Sequence, residues 1–294
     1  MRGVDRLLFE SARLRRRVVL FRDGVRRRRQ ESAPWRQAQF AIADYEVRAV
    51  DELRERRRSD TVYVFGSGAS LNAITPREWL AIEEHDTFGF NWFVRQDFVR
   101  CDFHLIRGVS DSTLLSSGFD EDLTLYFSTL AANPRFSDTT LLVQHEQRAV
   151  AANVAFARGL MPKRRIVPFT TFIGDQPSRR FEAGLTHASS TLHDTINAAW
   201  LLGWKQIVLV GVDLYDRRYF WLGDDDVRGL DRERGAVSSD AHSQVNMGFI
   251  GRIGDWSAIL AAEGCTLEVL NSRSLLAEVL PLHPLQAPPE SGHS

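Results

Sequence analysis

The chain has 294 residues, of which 44% are hydrophobic and 26% are charged, and its net charge is -1. This length suits one large α/β domain with an appendage or two small domains, and the composition is that of a folded globular protein. No run approaches the roughly 18 apolar residues of a membrane span. Arginine interrupts every apolar run near the start, which argues against a secretory signal. The sequence therefore predicts a cytoplasmic protein.

Residues 1–59 are predicted to form a basic helical extension, with a second helix running from about Trp35 to Arg58. The first 60 residues hold 17 arginines against 10 acidic residues, and apolar side chains recur along one helical face. Such a segment suits an anionic lipid surface, so residues 1–30 predict peripheral contact at the inner face of the cytoplasmic membrane. The alternative is a solvated helix packed on the main domain or on another subunit of a homo-oligomer. Nucleic-acid binding is not predicted, because the remainder of the chain is acidic.

The pattern changes to α/β at residue 60, and residues 60–283 are predicted to form the main domain, followed by a disordered tail, 284–294. Short apolar runs alternate with helical segments, which predicts a Rossmann-like, doubly wound, mostly parallel sheet. The predicted strands are Val62–Phe65, Asp86–Asn91, Phe103–Ile106, Leu123–Phe127, Thr140–Val143, Gln206–Asp213 and Thr266–Leu270. Helices are predicted to begin near Thr75 and to span Ser190–Leu202 and about Met247–Glu263.

A glycine-rich turn, Gly66-Ser67-Gly68-Ala69-Ser70-Leu71, follows the first predicted strand. Ligands of open parallel sheets lie beyond the carboxyl ends of strands, where backbone N–H groups can bind phosphate. Gly66 and Gly68 permit positive φ and close ligand approach, and Ser67 and Ser70 add hydroxyl donors. The turn lacks the Gly-Lys-Ser/Thr of a Walker loop and the third glycine of a dinucleotide fingerprint. By itself it fits dinucleotide, phosphate-transfer or sugar-nucleotide chemistry, or a structural turn.

The turn is part of an ordered set of motifs that resembles the bacterial sialyltransferases of glycosyltransferase family 42. The resemblance covers roughly residues 61–280. Its most specific stretch is Gly203–Tyr215, which resembles that family's Gly-Tyr-Lys-Glu-Ile-Tyr-Leu-x-Gly-Ile-Asp-Phe-Tyr strand. The set comprises Gly66–Leu71, Phe90–Phe93, Ser189–Thr191, Gly203–Tyr215, Ala241–Ser243 and Asn271–Leu276. Ser67, Ala69 and Leu192 depart from the family pattern at donor-site positions, which leaves the donor sugar open.

The resemblance implies an inverting enzyme, without metal or cofactor, that transfers a sugar from a CMP-activated donor to a surface glycan or glycolipid. The donor sugar would be sialic acid or another ulosonic acid, and the products would be polysaccharide or lipopolysaccharide. Tyr215 and Tyr219 would contact the departing phosphate, and His242 would be the general base. The implied nucleotide-sugar contacts are Gly66, Ser67, Gly68, Ser70, Asn91, Ser190, Thr191 and Asp213.

Two other functions stay open at this point. The turn and the strand end Gly211-Val212-Asp213 are also similar to the pterin diphosphokinase-like family, whose phosphotransfer would need Mg²⁺ and clustered carboxylates. A nucleotide-binding scaffold without catalysis is the third reading. Arg107 follows a strand end and can pair with a phosphate or carboxylate, whereas His187 and His193 flank the predicted helix start and either can contact a ligand or pack.

Overall fold

The computed structural model describes residues 33–107, 118–215, 218–222 and 248–285. The helices in this part of the chain are α1 at 33–41, α2 Val50–Glu55, α3 Pro76–Glu83, α4 Phe119–Ala132, α5 Val150–Ala157, α6 Thr191–Leu202 and α7 Phe249–Ala262. The strands are β1 Glu46–Val47, β2 Thr61–Phe65, β3 Asp86–Phe90, β4 Phe103–Ile106, β5 Thr140–Gln144, β6 Arg165–Phe169, β7 Thr171–Ile173, β8 Leu185–His187, β9 Gln206–Val210 and β10 Thr266–Val269.

Eight of these strands form one sheet in the order β1-β6-β5-β4-β3-β2-β9-β10, and every pair in it is parallel. The strands after β2 extend the sheet in one direction as far as β6, and β9 and β10 extend it in the other. The direction in which successive strands are added to the sheet therefore reverses between β2 and β9, and this position is the winding reversal of the sheet. In open parallel sheets such a reversal opens a crevice at the carboxyl ends of the two strands, where ligands bind. The predicted Rossmann-like, doubly wound, mostly parallel sheet is confirmed.

The central strands are apolar on both faces, because each face carries its own core. Along β2, Tyr63 and Phe65 join one buried cluster, whereas Val62 and Val64 join the cluster on the opposite face. Successive side chains of a strand point to opposite faces, so a strand covered on both sides is a continuous apolar run. This burial explains why β2 and β9 were recognisable in the sequence.

Helix α6 runs antiparallel to the strands, which brings its first turn to the carboxyl edge of the sheet. Gly203, at φ 95°, ends the helix, and the N–H of Lys205 then donates to the carbonyl of Asp60 at 2.9 Å, just before β2 begins. The last turn of α6 therefore lies at the amino edge. The opposite end of the helix, Ser190 and Thr191, faces the crevice side. The predicted helix start and its glycine stop are both confirmed.

The predicted strand Leu123–Phe127 is wrong, since these residues lie inside helix α4. The buried side chains of α4 recur at helical spacing and pack on one face, whereas the acidic residues of its first turn face away. Leu123, Tyr126, Phe127 and Leu130 are fully buried. A short apolar stretch within a helix can resemble a strand, because helical spacing becomes visible only over a longer run of sequence.

The continuous helix predicted for Trp35–Arg58 is also wrong, because α1, the strand β1 and α2 share this segment. β1 pairs with β6 and completes the edge of the sheet. Tyr45 anchors it, with a buried ring whose hydroxyl donates to the carbonyl of Met161 at 2.9 Å. The division of the chain at residue 59 stays a prediction, and residues 1–32 and the tail from 286 lie outside the described residues. Among the described helices, none is long and apolar enough to cross a membrane.

Candidate active site

The glycine turn lies at the winding reversal, directly against the end of β9. The N–H of Gly66 donates to the carbonyl of Val210, and the N–H of Gly68 donates to that of Gly211, both at 2.8 Å. β9 ends at Val210 rather than continuing to Asp213 as predicted, because Gly211 turns the chain with φ 66°. Two stretches about 145 residues apart in sequence thus form one joined turn at the carboxyl edge.

The glycines of the turn are required by close approach to β9 and not by positive φ. Gly68 has φ -71°, within the range open to any residue. A Cβ at Gly66 would lie 2.4 Å from the carbonyl oxygen of Gly211, and a Cβ at Gly68 would lie 2.4 Å from Oδ2 of Asp213. The expectation that these glycines serve positive φ is therefore corrected. In this conformation the space that a Cβ would take at either glycine is occupied by atoms of the protein.

Asp213 holds the glycine turn in place through hydrogen bonds to Ser70. Its side chain is 3% exposed. Its carboxylate accepts from the N–H of Ser70 at 2.9 Å, from the hydroxyl of Ser70, and from Nδ2 of Asn271 at 3.1 Å. A buried carboxylate with several donors is well satisfied and holds its partners strongly.

The backbone N–H groups of the turn are largely occupied within the protein. Besides those of Gly66, Gly68 and Ser70, the N–H of Ala69 donates to the carbonyl of Arg218 at 3.1 Å. A set of free N–H groups that could bind phosphate, as predicted for this turn, is not seen at these four positions. The hydroxyl of Ser67 is half-buried and has no hydrogen-bond partner among the described residues. The hydroxyl of Ser67 is therefore a candidate polar contact of this turn.

Residues 218–222 pair with the turn as a short antiparallel extension. Tyr219 forms a β-bridge with Gly68, and the N–H of Phe220 donates to the carbonyl of Ser67 at 3.1 Å. The ring of Tyr219 stacks on Trp221 with 4.5 Å between centroids. Tyr219 is thus brought beside the glycine turn.

Tyr215 lies at the β9 side of the crevice and belongs to a polar group that the motifs only partly indicated. Its hydroxyl accepts from Nδ2 of Asn271 at 3.2 Å, and the guanidinium of Arg273 lies 4.9 Å from its ring centroid. Asn271 therefore bridges Asp213 and Tyr215. Asn271 and Arg273 were not predicted as site residues, although their position directly after β10 at the same sheet edge was a usable signal. Beside them opens a cavity of about 280 Å³, which Ser70 and Asn271 help to line.

Asn91 follows β3, the neighbour of β2, and so lies at the same edge as the turn. Its φ of 50° is left-handed, a conformation that asparagine tolerates better than other residues with a side chain. Such backbone outliers occur often at binding sites, which makes Asn91 a candidate contact.

The start of α6 supplies hydroxyls and the positive end of a helix dipole. Ser190 is the N-cap residue, and its hydroxyl lies 3.1 Å from Nδ1 of His193. Thr191 is the first helical residue, and both side chains are half-buried. N–H groups at a helix start favour a carboxylate, phosphate or hydroxyl ligand.

A cluster that sequence reasoning recognised only in part lies beside this helix start. Asp194, in the first turn of α6, is completely buried, and its Oδ2 lies 2.8 Å from Nδ1 of His187 and 3.6 Å from Nε of Arg107. Burial raises the pKa of Asp194, and the hydrogen bond and charge of His187 and the charge of Arg107 oppose that rise. His187 and Arg107 were noted in the sequence, whereas Asp194 was not.

One predicted catalytic residue belongs to a segment outside the described part of the chain. His242 lies in residues 223–247, outside the described residues, as do the acidic residues at 224–226. Within the described ranges, no group of three or more His, Cys, Asp or Glu side chains is arranged to hold a metal ion.

No protein-family model and no curated protein matches the chain. The fold is similar to that of solved glycosyltransferases. One is the sialyltransferase CstII of Campylobacter jejuni in complex with the substrate analogue CMP-3FNeuAc, at 17% identity over 77% of this chain and 87% of that chain, with a TM-score of 0.44. Another is the monofunctional alpha-2,3-sialyltransferase Cst-I of the same organism, at 13% identity over 78% and 82%, with a TM-score of 0.43.

A third similar structure is the MAf glycosyltransferase of Magnetospirillum magneticum AMB-1, at 15% identity over 56% of this chain and 27% of that chain, with a TM-score of 0.35. At these identities the similarity describes the fold.

Proposed function

We propose that the chain is an inverting, metal-independent glycosyltransferase that moves a sialic acid or another ulosonic acid from a CMP-activated donor to a hydroxyl of a glycan or glycolipid. The observation that carries this proposal is the convergence of the resembling motifs. The glycine turn, the end of β9 and the segment after β10 are joined through Asp213 and Asn271. They meet at the winding reversal, the place where a sheet of this type binds nucleotides.

The donor would lie along the carboxyl edge, with Ser67, Asn91, Ser190 and Thr191 as its polar contacts. Hydroxyls and an amide can donate to and accept from a base, a ribose or a sugar carboxylate. The role of Asp213 is indirect, because it holds the turn through Ser70 and supports Asn271. Gly66, Gly68 and Ser70 likewise shape the site by allowing and fixing the close approach to β9.

Tyr215 would stabilise the departing phosphate. Its oxygen accepts from Asn271, so its own O–H proton is free to be donated, and Arg273 adds positive charge beside the ring. Negative charge builds on the leaving oxygen in the transition state, and a positioned donor is most effective there. Tyr219 is proposed as a second donor from the strand that pairs with the turn. These groups take the part that a metal ion plays in other nucleotide-sugar transferases.

The acceptor hydroxyl attacks the anomeric carbon from the side opposite the phosphate, and a general base removes its proton. The motif resemblance gives that role to His242. The arginine-rich residues 1–30 would hold the enzyme at the cytoplasmic face of the membrane, near a lipid-linked acceptor. Neither a cofactor nor nucleic acid is part of this proposal.

Nucleotide binding tests the proposed donor class. We expect calorimetric titration of the purified chain with CMP, UDP, GDP and ATP, in the presence of chelator, to detect CMP alone. Binding of ATP that requires Mg²⁺, with no binding of CMP, would instead support a phosphotransferase and contradict the proposal.

A further inference from the structure

Four side chains beside the glycine turn, which we call the arginine–indole cluster, are gathered around one arginine. The Cζ atom of Arg95 lies 4.8 Å from the ring centroid of Trp92 and 4.9 Å from that of Trp221. The ring of Trp221 is stacked on that of Tyr219, with 4.5 Å between centroids and 4° between planes. A cation within about 6 Å of a ring centroid is attracted by the ring, and tryptophan is the strongest partner. Arg95 thus links Trp92 to Trp221 and, through Trp221, to Tyr219.

The two ends of the arginine–indole cluster come from different parts of the crevice. Trp92 and Arg95 lie in a short 3-10 helix, Asn91–Arg95, that directly follows β3. The ring of Trp92 packs edge-on against the fully buried ring of Tyr126, with 5.3 Å between centroids, which anchors this end in the core. Tyr219, at the other end, is paired with the glycine turn that follows β2. The cluster therefore fixes the ring of Tyr219 relative to β3 and to the core.

The backbone around Tyr219 is held by contacts outside the arginine–indole cluster. Nδ2 of Asn72 donates to the carbonyl of Phe220 at 2.7 Å. The ring of Phe220 is buried and packs against that of Phe98, with 5.5 Å between centroids. None of these contacts involves the ring of Tyr219. The cluster therefore acts chiefly on the direction in which the phenol points, and the segment itself has other anchors.

We propose that Arg95 is a positioning residue for Tyr219 and acts through Trp221. The inference rests on the proposed function, in which Tyr219 is the second hydroxyl donor to the departing phosphate. Such a donor lowers the barrier most when its hydroxyl is already held where negative charge develops, because no reordering is then needed during the reaction. Arg95 is half-buried, which strengthens its attraction to the indole rings relative to a fully solvated contact.

A direct contact between Arg95 and the nucleotide is the rival role, and it predicts different kinetics. An arginine that binds the phosphate in the ground state would lower CMP affinity when it is replaced, and its effect would not depend on Tyr219. An arginine that acts through Tyr219 lowers kcat with little change in affinity. Its effect disappears when the hydroxyl of Tyr219 has been removed, because residues that act as one unit are not additive.

The test measures kcat and KM for CMP release from CMP-N-acetylneuraminic acid, together with CMP affinity by calorimetry. The variants are Arg95→Met, which keeps an apolar stem and removes the charge, Arg95→Ala, Arg95→Lys, Tyr219→Phe, and Arg95→Met combined with Tyr219→Phe. Lys163→Ala is the matched control, because Nζ of Lys163 lies 4.0 Å from the ring centroid of Tyr45 and the residue just precedes β6, at the amino edge of the sheet. Thermal unfolding of each protein separates a local effect from loss of the fold.

We expect both uncharged variants of Arg95 to lower kcat about tenfold, while KM and CMP affinity change less than about twofold. Arg95→Lys should recover most of this loss, since it restores a cation, and Lys163→Ala should match the wild type. In the Tyr219→Phe background, Arg95→Met should lower kcat by less than about a further twofold. Acrylamide quenching of tryptophan fluorescence should increase in Arg95→Met, because Trp221 loses a contact that covers its ring.

Three results in an active protein would overturn this inference and leave the proposed function standing. They are an equal loss of kcat from Arg95→Met with and without Tyr219→Phe, a loss confined to CMP affinity, and wild-type kcat and quenching in Arg95→Met. A wild-type protein that releases no CMP would instead overturn the proposed function and, with it, the role inferred for Arg95.

Discussion

The carboxylate of Asp213 accepts from both the backbone N–H and the hydroxyl of Ser70, although 142 residues lie between them. This contact joins the end of β9 to the turn that follows β2. It makes the carboxyl edge at the winding reversal one hydrogen-bonded unit, with Asn271 as its third member.

Asp213→Asn should destabilise the protein and weaken CMP binding. An amide nitrogen would face the donors of Ser70 and Asn271, and a buried mismatch of this kind costs about 1–3 kcal/mol. Urea unfolding measures the change in free energy. Asp51→Asn, on an exposed carboxylate of α2, is the control and should change it by less than about 0.5 kcal/mol. Equal stabilities would show that Asp213 does not hold the turn.

Gly68→Ala should be strongly destabilising even though its φ is ordinary. The added methyl would lie 2.4 Å from Oδ2 of Asp213, so the turn or the carboxylate must move, at a cost of about 1–3 kcal/mol. Gly251→Ala is the matched control, because Gly251 lies within α7 and a Cβ there meets nothing within 4 Å. That control should gain about 0.5–1 kcal/mol from helix propensity. Chemical denaturation of both variants measures whether their changes in the free energy of unfolding have opposite signs. An unchanged stability in Gly68→Ala would contradict the close approach of Gly68 to Asp213.

Stability should fall as the pH drops below about 6.5, through two buried histidines. Burial lowers the pKa of both His104 and His193 to about 3. Between pH 6.5 and 3 the unfolded chain binds protons that the folded chain does not. The stability is therefore complete above pH 6.5 and is lost toward pH 3, at up to about 1.4 kcal/mol per pH unit for each histidine. Urea unfolding at pH 7, 6 and 5 measures the slope, and equal free energies at all three would contradict the burial of these rings.

Most of the sheet could be predicted from the sequence because its strands are buried on both faces and appear as apolar runs between turn residues. The same signal failed at Leu123–Phe127, where helical spacing governs the buried side chains. It also failed before residue 59, where a two-residue edge strand is too short to show a pattern. Long-range polar partners were the hardest to find. The links from Asp194 to His187 and from Asp213 to Asn271 depend on the order of strands, which local sequence does not encode.

Tyr215→Phe should reduce sugar transfer much more than donor binding. The change removes an O–H proposed to stabilise the leaving phosphate, and the loss of one such donor lowers kcat about 10²–10³-fold. Tyr215 is 36% exposed, so stability should change little. Steady-state kinetics with CMP-N-acetylneuraminic acid separates kcat from KM. A raised KM with unchanged kcat would assign Tyr215 to ground-state binding instead.

The arginine-rich start of the chain should bind anionic membranes. Replacing the four arginines at 26–29 with glutamine should weaken co-sedimentation with vesicles of phosphatidylglycerol and phosphatidylcholine by about 1 kcal/mol for each arginine near the surface. Vesicles of phosphatidylcholine alone are the control. Binding that is equal for both vesicles, or unaffected by the substitution, would contradict lipid contact and favour packing on the main domain or on another subunit.

The central claim is metal-independent transfer from a CMP-activated sugar at the crevice between β2 and β9. Its most direct test is the release of CMP by the wild-type protein from CMP-N-acetylneuraminic acid and from CMP-activated 3-deoxy-manno-octulosonic acid, with EDTA present throughout. We predict turnover of at least one donor, at a rate that EDTA leaves unchanged. No CMP from either donor, together with Mg²⁺-dependent turnover of ATP, would contradict the account.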